Sequence, residues 1–345
     1  MATATSSLNG HNAGQAATSR LAGVTRSPMV RLIVKRLLMA IPIMLGVSLL
    51  TFIVMTIIPG SGATALLGAD ATPEQIAALE AEMGLDQPAH VRYLAWLQDL
   101  ATGDLGSSVV SGQTVTSILA SRLPVTFELV GLAFLLSVLA AIPVAVLAAR
   151  WPGGFMDRLS MVVSVTGLAV ANYVLALLLV VVFAVVLGVL PAIGYIPLSE
   201  SITGNLRTMI LPVISIAFPL FCFYTRFLRS DLVEQMQSQD YVDTARAKGI
   251  GPWQVLIKHA FRNSSFGLIT LVGLNLGTLI GATVIIEQIF GLPGLGQQLL
   301  QSISAQDAVV VQAAVLIFAF VAVMANLIVD LLYLILDPRI RYGSR

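Results

Sequence analysis

Ser238-Gln239-Asp240-Tyr241-Val242-Asp243-Thr244-Ala245-Arg246-Ala247-Lys248-Gly249-Ile250-Gly251-Pro252-Trp253 is a polar island between long apolar segments. Its grammar is helix, stop, helix. Ser238 or Asp240 can cap a helix start by accepting hydrogen bonds from free backbone N–H groups. Ala245, Arg246 and Ala247 are good helix formers, and Lys248 suits the negative end of the helix dipole. Gly249 can take the left-handed conformation that closes a helix. Pro252 fits the first position of a second helix, expected from about Trp253 to Arg262. A compact polar knob of this kind is suited to being gripped in another protein's groove; a plain connecting loop is the competing reading.

What surrounds the island decides what the knob belongs to. The chain has 345 residues, of which 57% are apolar and only 11% charged, with a mean hydropathy of +0.90. Soluble domains carry about 25% charged residues, so this is a polytopic, all-α membrane protein. A net charge of +1 gives no bulk attraction to nucleic acid. The single Cys222 excludes an intrachain disulfide and a cysteine metal cluster, and His11, His90 and His259 lie far apart. The only lysines are Lys35, Lys248 and Lys258, and none follows a glycine, so no phosphate-binding G-x-x-x-x-G-K-[ST] loop exists. If ATP drives this protein, another chain binds it.

In chain order, residues 1–28 are rich in Ala, Ser, Thr, Gly and Asn without an apolar period and read as a disordered cytoplasmic tail. Arg31, Lys35 and Arg36 precede an apolar run over 37–58. That run exceeds a signal-peptide core of about 7–15 residues and suits an uncleaved span of about 20, giving a first membrane helix within 29–58 that Pro59-Gly60 ends. Residues 59–123 form the longest polar region, a small folded insert. Thr72-Pro73-Glu74-Gln75 carries a cap, a first-position proline and an acid, predicting a helix that stops at Gly84. His90 to Leu100 places Val91, Leu94, Trp96, Leu97 and Leu100 at near-helical spacing. Further apolar segments near 125–149, 159–190, 206–227, 266–287 and 310–336 bring the expected spans to six. The segment 159–190 is overlong, so it is expected to tilt or to end in an exposed helical extension.

Basic residues set the orientation. With the N-terminus in the cytoplasm, sixteen of the 19 fall on the cytoplasmic side and only Arg92, Arg122 and Arg207 outside. The insert 59–123 then faces outwards, and the opening stretch, within a cytoplasmic loop 228–264 of a permease core 124–345, faces the compartment that holds ATP.

Tyr241-Val242-Asp243-Thr244-Ala245-Arg246-Ala247-Lys248-Gly249 resembles the coupling loop of importer permeases of the ABC transporter superfamily. That motif is Glu-Ala-Ala, three residues, Gly, then a spaced Ile-x-Leu-Pro; Asp243-Thr244-Ala245 and Gly249 match the first part. His259-Ala260-Phe261-Arg262 departs from the second part, in the manner of the dipeptide, oligopeptide and nickel branch. Arg36-Leu37-Leu38 with Ile41-Pro42 and Gly46-Val47-Ser48, Gly103-Asp104-Leu105-Gly106, Arg122-Leu123-Pro124-Val125-Thr126, Phe290-Gly291-Leu292-Pro293-Gly294-Leu295-Gly296 and Leu336-Asp337-Pro338-Arg339-Ile340-Arg341 resemble other segments of that branch, so the likeness covers about residues 30–345.

The resemblance implies a type I importer-permease fold in a bacterial inner membrane, with both termini cytoplasmic. It also implies a second homologous permease that completes the path, two ATPases that carry ATP and Mg, and an extracytoplasmic solute-binding protein. This chain itself would bind no cofactor and catalyse no covalent reaction. Cargo would be a di- or oligopeptide; nickel chelates and other small solutes are the alternative within the family. In this picture Tyr241, Asp243, Thr244, Ala245, Arg246, Ala247, Lys248 and Gly249 dock in the ATPase. Ala245 and Ala247 would allow close approach, and Asp243, Arg246 and Lys248 would form rim salt bridges.

Glu128, Asn172, Asn275, Glu287, Asn326 and Asp330 lie within or at the ends of apolar spans, where polar groups face the bundle or a watery path. Asn172, Asn275, Glu287, Pro293 and Asp330 are the candidates for a translocation path or gate, against inter-helix hydrogen bonding. Glu128 and Glu287 are expected near the outer boundary, where burial costs little; Asp330 is expected deeper, holding the sixth helix to another. Pro293 forces a non-helical link, either a re-entrant segment or gate or an ordinary surface turn. An ion-coupled secondary transporter, the rival of another class, would need an internal repeat, and none is evident. A non-transporting membrane scaffold is a third reading.

Overall fold

The computed structural model describes residues 28–58, 62–68 and 71–336. The expected tail, apart from Pro28, the Pro59-Gly60 stop and the motif from Asp337 to Arg341 lie outside these residues, as do Arg20, Arg26, Arg339, Arg341 and Arg345. Among the described residues every regular element is helical, apart from a single antiparallel bridge between Ser107 and Thr114.

Helix α1 (Pro28–Ile57) is apolar nearly all round. Leu38 and Leu50 stay more than 60% exposed, as expected of side chains facing lipid. Three short helices follow: α2 (Gly62–Leu67), α3 (Pro73–Glu82) and α4 (Ala89–Thr102). The start of α3 is as the sequence predicts. Thr72 accepts from the Gln75 N–H while the Gln75 side chain accepts from the Thr72 N–H, a reciprocal capping box. Gly103, left-handed, closes α4.

The face by which α4 packs differs from the predicted one. Val91 and Leu94 remain exposed; contact with α1 runs instead through Tyr93, whose hydroxyl pairs with Ser48 Oγ at 2.9 Å and whose ring lies 5.2 Å from that of Phe52. The insert is therefore docked on α1.

Helix α5 (Val115–Arg150) begins well before the apolar run expected near 125, so the last residues of the polar region, including Arg122, are already helical. The buried face of its second half is a stripe of small residues, Ala133, Ser137, Ala141, Ala145 and Ala149. Residues four apart lie on one helix face, and small ones let a neighbouring backbone approach closely. Against this stripe lies α8 (Ile202–Ser238), whose Met209, Ile216, Tyr224, Leu228 and Leu232 are buried. Together α5 and α8 are the axis of the bundle.

The segment expected as one long span over 159–190 is broken. Helix α6 (Phe155–Ala169) ends at Val170, and α7 (Asn172–Leu179) continues through a wide π-helical stretch (Val180–Val186), the two halves bent by 102°. It neither tilts nor extends as one rod. Val170 and Ala171 take extended backbone at the break, which interrupts the ladder where no proline forces it. Among the described residues five helices are long and apolar enough to cross a membrane, and the bent pair makes a sixth span if counted as one.

A short turn α10 (Pro252–Gln254) and a π-helical stretch (Val255–Ala260) run without a break into α11 (Phe261–Phe290). The second helix of the opening stretch does not end near Arg262; it is the root of a membrane span. α12 (Leu295–Ser304) and α13 (Ala308–Leu336) are the last described helices, with α13 packed on both α1 and α11.

Candidate functional site

Helix α9 (Asp240–Ala247) carries the knob. Neither Ser238 nor Asp240 caps it: Ser238 is the last residue of α8, Gln239 occupies the cap without a side-chain bond, and Asp240 is already helical. The carboxylates of Asp240 and Asp243 instead sit in the first turn, where they suit the positive end of the dipole. The stop is as predicted. Gly249 has φ +76, its N–H donates to Arg246 O at 2.9 Å, and Ile250 N–H reaches back to Ala245 O at 3.2 Å. These two bonds form a Schellman closure.

The knob has its own small core of Val242, Ala245 and Val255, packed with Met236, Tyr241 and Ile250. Ala245 is therefore not a surface for close approach: at 5% exposure it is spent inside the knob. Tyr241 is half turned in as well, its hydroxyl donating to Gln235 Oε1 at 2.6 Å. What remains outside is Asp243, Thr244, Arg246, Ala247, Lys248 and Gly249. Arg246 Nη2 also donates to Met236 O at 2.9 Å, while its contact with Asp243 is long, 3.4 Å, and exposed.

Two attachments tie the knob to the bundle. Trp253 meets Trp151 edge to face with ring centroids 5.8 Å apart, and the Arg150 guanidinium lies 5.3 Å from the Trp151 ring and 5.8 Å from that of Trp253. Leu256 and Ala260 are buried with Tyr224, Leu228 and Leu232 of α8 and Ala141, Ala145 and Ala149 of α5. A push on α9 thus reaches both axial helices through packed side chains.

The candidate path residues are not assembled into one site. Among the described residues they share no hydrogen bond or ion pair with one another; most hold a local partner. Asn172 sits at the break before α7 and its Oδ1 accepts from Tyr173 N–H. Asn275 donates to Leu271 O at 2.8 Å within α11. Asp330 pairs with Arg36, so it holds α13 to α1 of the same chain. Asn326 is exposed.

Glu287 is the largest departure from expectation. It is fully buried inside the protein, in the last turn of α11. Its Oε2 accepts from the N–H groups of Gly296 at 2.7 Å and Gln297 at 3.0 Å, and its Oε1 accepts from Thr126 Oγ1 at 2.7 Å. Thr126 Oγ1 in turn accepts from Leu295 N–H at 2.8 Å. Glu287 thereby satisfies the start of α12 and pins it to α5. A Cβ at Gly294 would collide with the Glu287 carboxylate and one at Gly296 with the Val284 backbone, which explains two glycines of Gly291-Leu292-Pro293-Gly294-Leu295-Gly296. With Leu292, Gly294, Leu295 and Gly296 all buried, the Pro293 link is not an ordinary surface turn.

Two pairings were not singled out from sequence. Arg229 grips Asp157 through two bonds, Nε to Oδ1 at 2.7 Å and Nη2 to Oδ2 at 2.8 Å, while Asp157 Oδ2 also accepts from Gly153 N–H. The signal was an acid beside a lipid-facing segment, where a lone carboxylate is costly. Tyr195, in the link before α8, donates to Glu128 Oε2 at 2.7 Å; burial first, and the Glu128 contact second, push its pKa up to about 12.

Among the described residues, five or six spans long and apolar enough to cross a membrane, with a self-contained polar knob rooted in two helices, outline a polytopic membrane protein. Two family models match it: residues 141–342 match the binding-protein-dependent transport system inner membrane component, and residues 29–130 its N-terminal counterpart. The chain belongs to this family of inner-membrane transport components, which has the type I ABC importer permease fold. A Brucella abortus (strain 2308) protein, whose name places it in a peptide transport system as a permease, is 43% identical over 314 residues, 91% of this chain and 100% of the relative. The glutathione transport system permease protein of Salmonella typhimurium (strain LT2) is 36% identical over 314 residues, with the same shares of the two chains. The chain is accordingly a multi-pass inner-membrane permease subunit of an ABC importer, not an enzyme; ATP hydrolysis belongs to separate ATPase subunits.

Proposed function

We propose that this permease imports short peptides and is driven through the knob: the exposed face of α9 docks in an ATPase subunit on the cytoplasmic side. One observation carries the reading. The knob keeps Val242, Ala245 and Val255 in a private core and presents Asp240, Asp243, Thr244, Arg246, Ala247, Lys248 and Gly249 outward, while its root is packed on α5 and α8. Such a body can be moved as a unit, and its movement is delivered to the bundle axis. The basic-residue asymmetry supports a cytoplasmic knob, cytoplasmic termini and an outward-facing insert.

In this reading a second, homologous permease completes the path, two ATPases carry ATP and Mg, and a solute-binding protein delivers cargo outside. The peptide class rests on the names of the relatives that span nearly the whole chain; nickel chelates and other small solutes are the alternative within the family. No cofactor is assigned to this chain.

Replacing Gly249 tests the docking. Nothing lies within 4 Å of a Cβ added there, so the obstacle is backbone conformation, not space. A left-handed non-glycine residue costs roughly 1–2 kcal/mol, enough to distort the knob without unfolding the bundle. Gly249→Ile should insert normally and lose most of the ATPase in co-purification, with uptake lost in parallel. Normal co-purification and uptake would sink the docking assignment.

A further inference from the structure

Between α6 and α8, on the knob's side of the bundle, lies a cavity of about 210 Å³. It is lined by Ser160, Ser164, Thr225, Arg226 and Arg229 among others. Two features set it apart from ordinary helix packing. Buried hydroxyls in these helices can close a bond to a carbonyl of the preceding turn, as Ser160 does to Asp157 O, Thr208 to Asn205 O and Ser215 to Pro212 O. Ser164 and Thr225 do not. Each is 1% exposed, each faces the cavity, and neither hydroxyl has a partner. Buried polar groups left unpaired are costly and call for an explanation.

The second feature is charge. Asp157 takes up Nε and Nη2 of Arg229 and leaves its Nη1 outside that pair. Arg226 forms no ion pair among the described residues. The cavity therefore offers one uncompensated cation, spare guanidinium donors and two orphaned hydroxyls, a donor set for a tetrahedral oxyanion. Its mouth is flanked by Met161, 44% exposed, and Val165, 53% exposed, on the lipid-facing side of α6. Arg226 stands where the apolar run of α8 gives way to polar residues, at headgroup depth.

We propose that this cleft holds the phosphate of an anionic phospholipid, with the headgroup on Arg226, Arg229, Ser164 and Thr225 and an acyl chain along α6. Basic pockets between membrane helices suit such headgroups. Arg229 is about three turns before the knob, so the lipid sits near the knob's root. Nothing in this site depends on which cargo is carried or on the knob's partner.

Native mass spectrometry of the assembled transporter, loaded with phosphatidylglycerol or with phosphatidylcholine of the same chains, tests this. The wild type should retain phosphatidylglycerol preferentially. Arg226→Gln should lower that retention about five-fold, the effect of one basic residue near an anionic surface. Arg226→Lys should restore most of it, and Arg207→Gln, at the far side of the membrane, should leave it unchanged. Ser164→Ala with Thr225→Val should also lower retention while raising the lipid-free melting temperature, because two unpaired hydroxyls are removed. Equal retention by wild type and Arg226→Gln would overturn the site. Displacement of the lipid by inorganic phosphate, or by a dipeptide acting through its carboxylate, would overturn the lipid as occupant.

Discussion

The knob around Gly249 and the link around Pro293 are built from the same parts: a helix end, a left-handed glycine (Gly249, Gly291), a proline and a new helix. They end up opposite in character. The knob turns its charges out, and its one internal ion pair, Asp243 with Arg246, is long and exposed. The link around Pro293 turns its backbone in, and a single buried carboxylate satisfies the helix that follows. The first arrangement leaves binding capacity unspent; the second spends it all inside the chain. A loop whose polar groups are all satisfied within the chain is a fixed part, whereas one that holds them outward is a handle.

Substitutions can break this contrast at either end. The largest effect is expected at Glu287. Glu287→Ala leaves the Gly296 and Gln297 N–H groups and the Thr126 hydroxyl without their acceptor in a dry site, a loss of about 3 kcal/mol or more. Thermal unfolding of the purified permease should drop sharply, and Glu287→Gln, which keeps one acceptor oxygen, should fall between. If Glu287→Ala melts like the wild type, the link is not the fixed part described.

Next comes Trp253→Ala, which removes the edge-to-face contact with Trp151 and the Arg150 contact over its ring. Such aromatic contacts contribute about 0.5–1.5 kcal/mol beyond area burial. Stability should fall modestly, and ATP hydrolysis should continue while uptake falls, because the knob is less firmly rooted. A smaller effect belongs to the capping box of α3: Thr72→Ala should cost about 1 kcal/mol locally, read as faster amide exchange over α3 with uptake kept. Asp243→Ala should be smallest in stability, within about 0.5 kcal/mol for so exposed a pair, yet should weaken ATPase co-purification. That divergence between stability and assembly is what a handle predicts.

Much of this was legible in the sequence because it rests on local chemistry. Thr72-Pro73-Glu74-Gln75 and Gly249-Ile250-Gly251-Pro252 specify caps and stops within a few residues, and both formed as expected. Apolar length located six segments, of which five are single helices long enough to span and the sixth is a bent pair. Most of the misreadings were relations between distant residues; the cap offered to Ser238 or Asp240, a place Gln239 takes, was a local one. Ala245 looked like a contact residue because a helix face cannot be assigned without knowing that Val255 folds back on it. The burial of Glu287 was hidden because its partners, Thr126 and Gly296, arrive from other elements. The break at Val170 and Ala171 carries no glycine or proline, so nothing local marked it. The small-residue stripe of α5 was present in the sequence at four-residue spacing, but only α8 packed against it reveals its use.

The handle itself is open to a direct measurement. Cys222, the only cysteine, is buried, so replacing it with Ala and placing single cysteines on the knob gives clean cross-linking to the co-expressed ATPase subunits. Ala247→Cys and Thr244→Cys should each give a strong adduct with an ATPase subunit, and Ala245→Cys, inside the knob's core, should give little or none. Absence of any ATPase adduct from Ala247→Cys and Thr244→Cys, or their labelling only by reagents applied from outside the cell, would contradict the account.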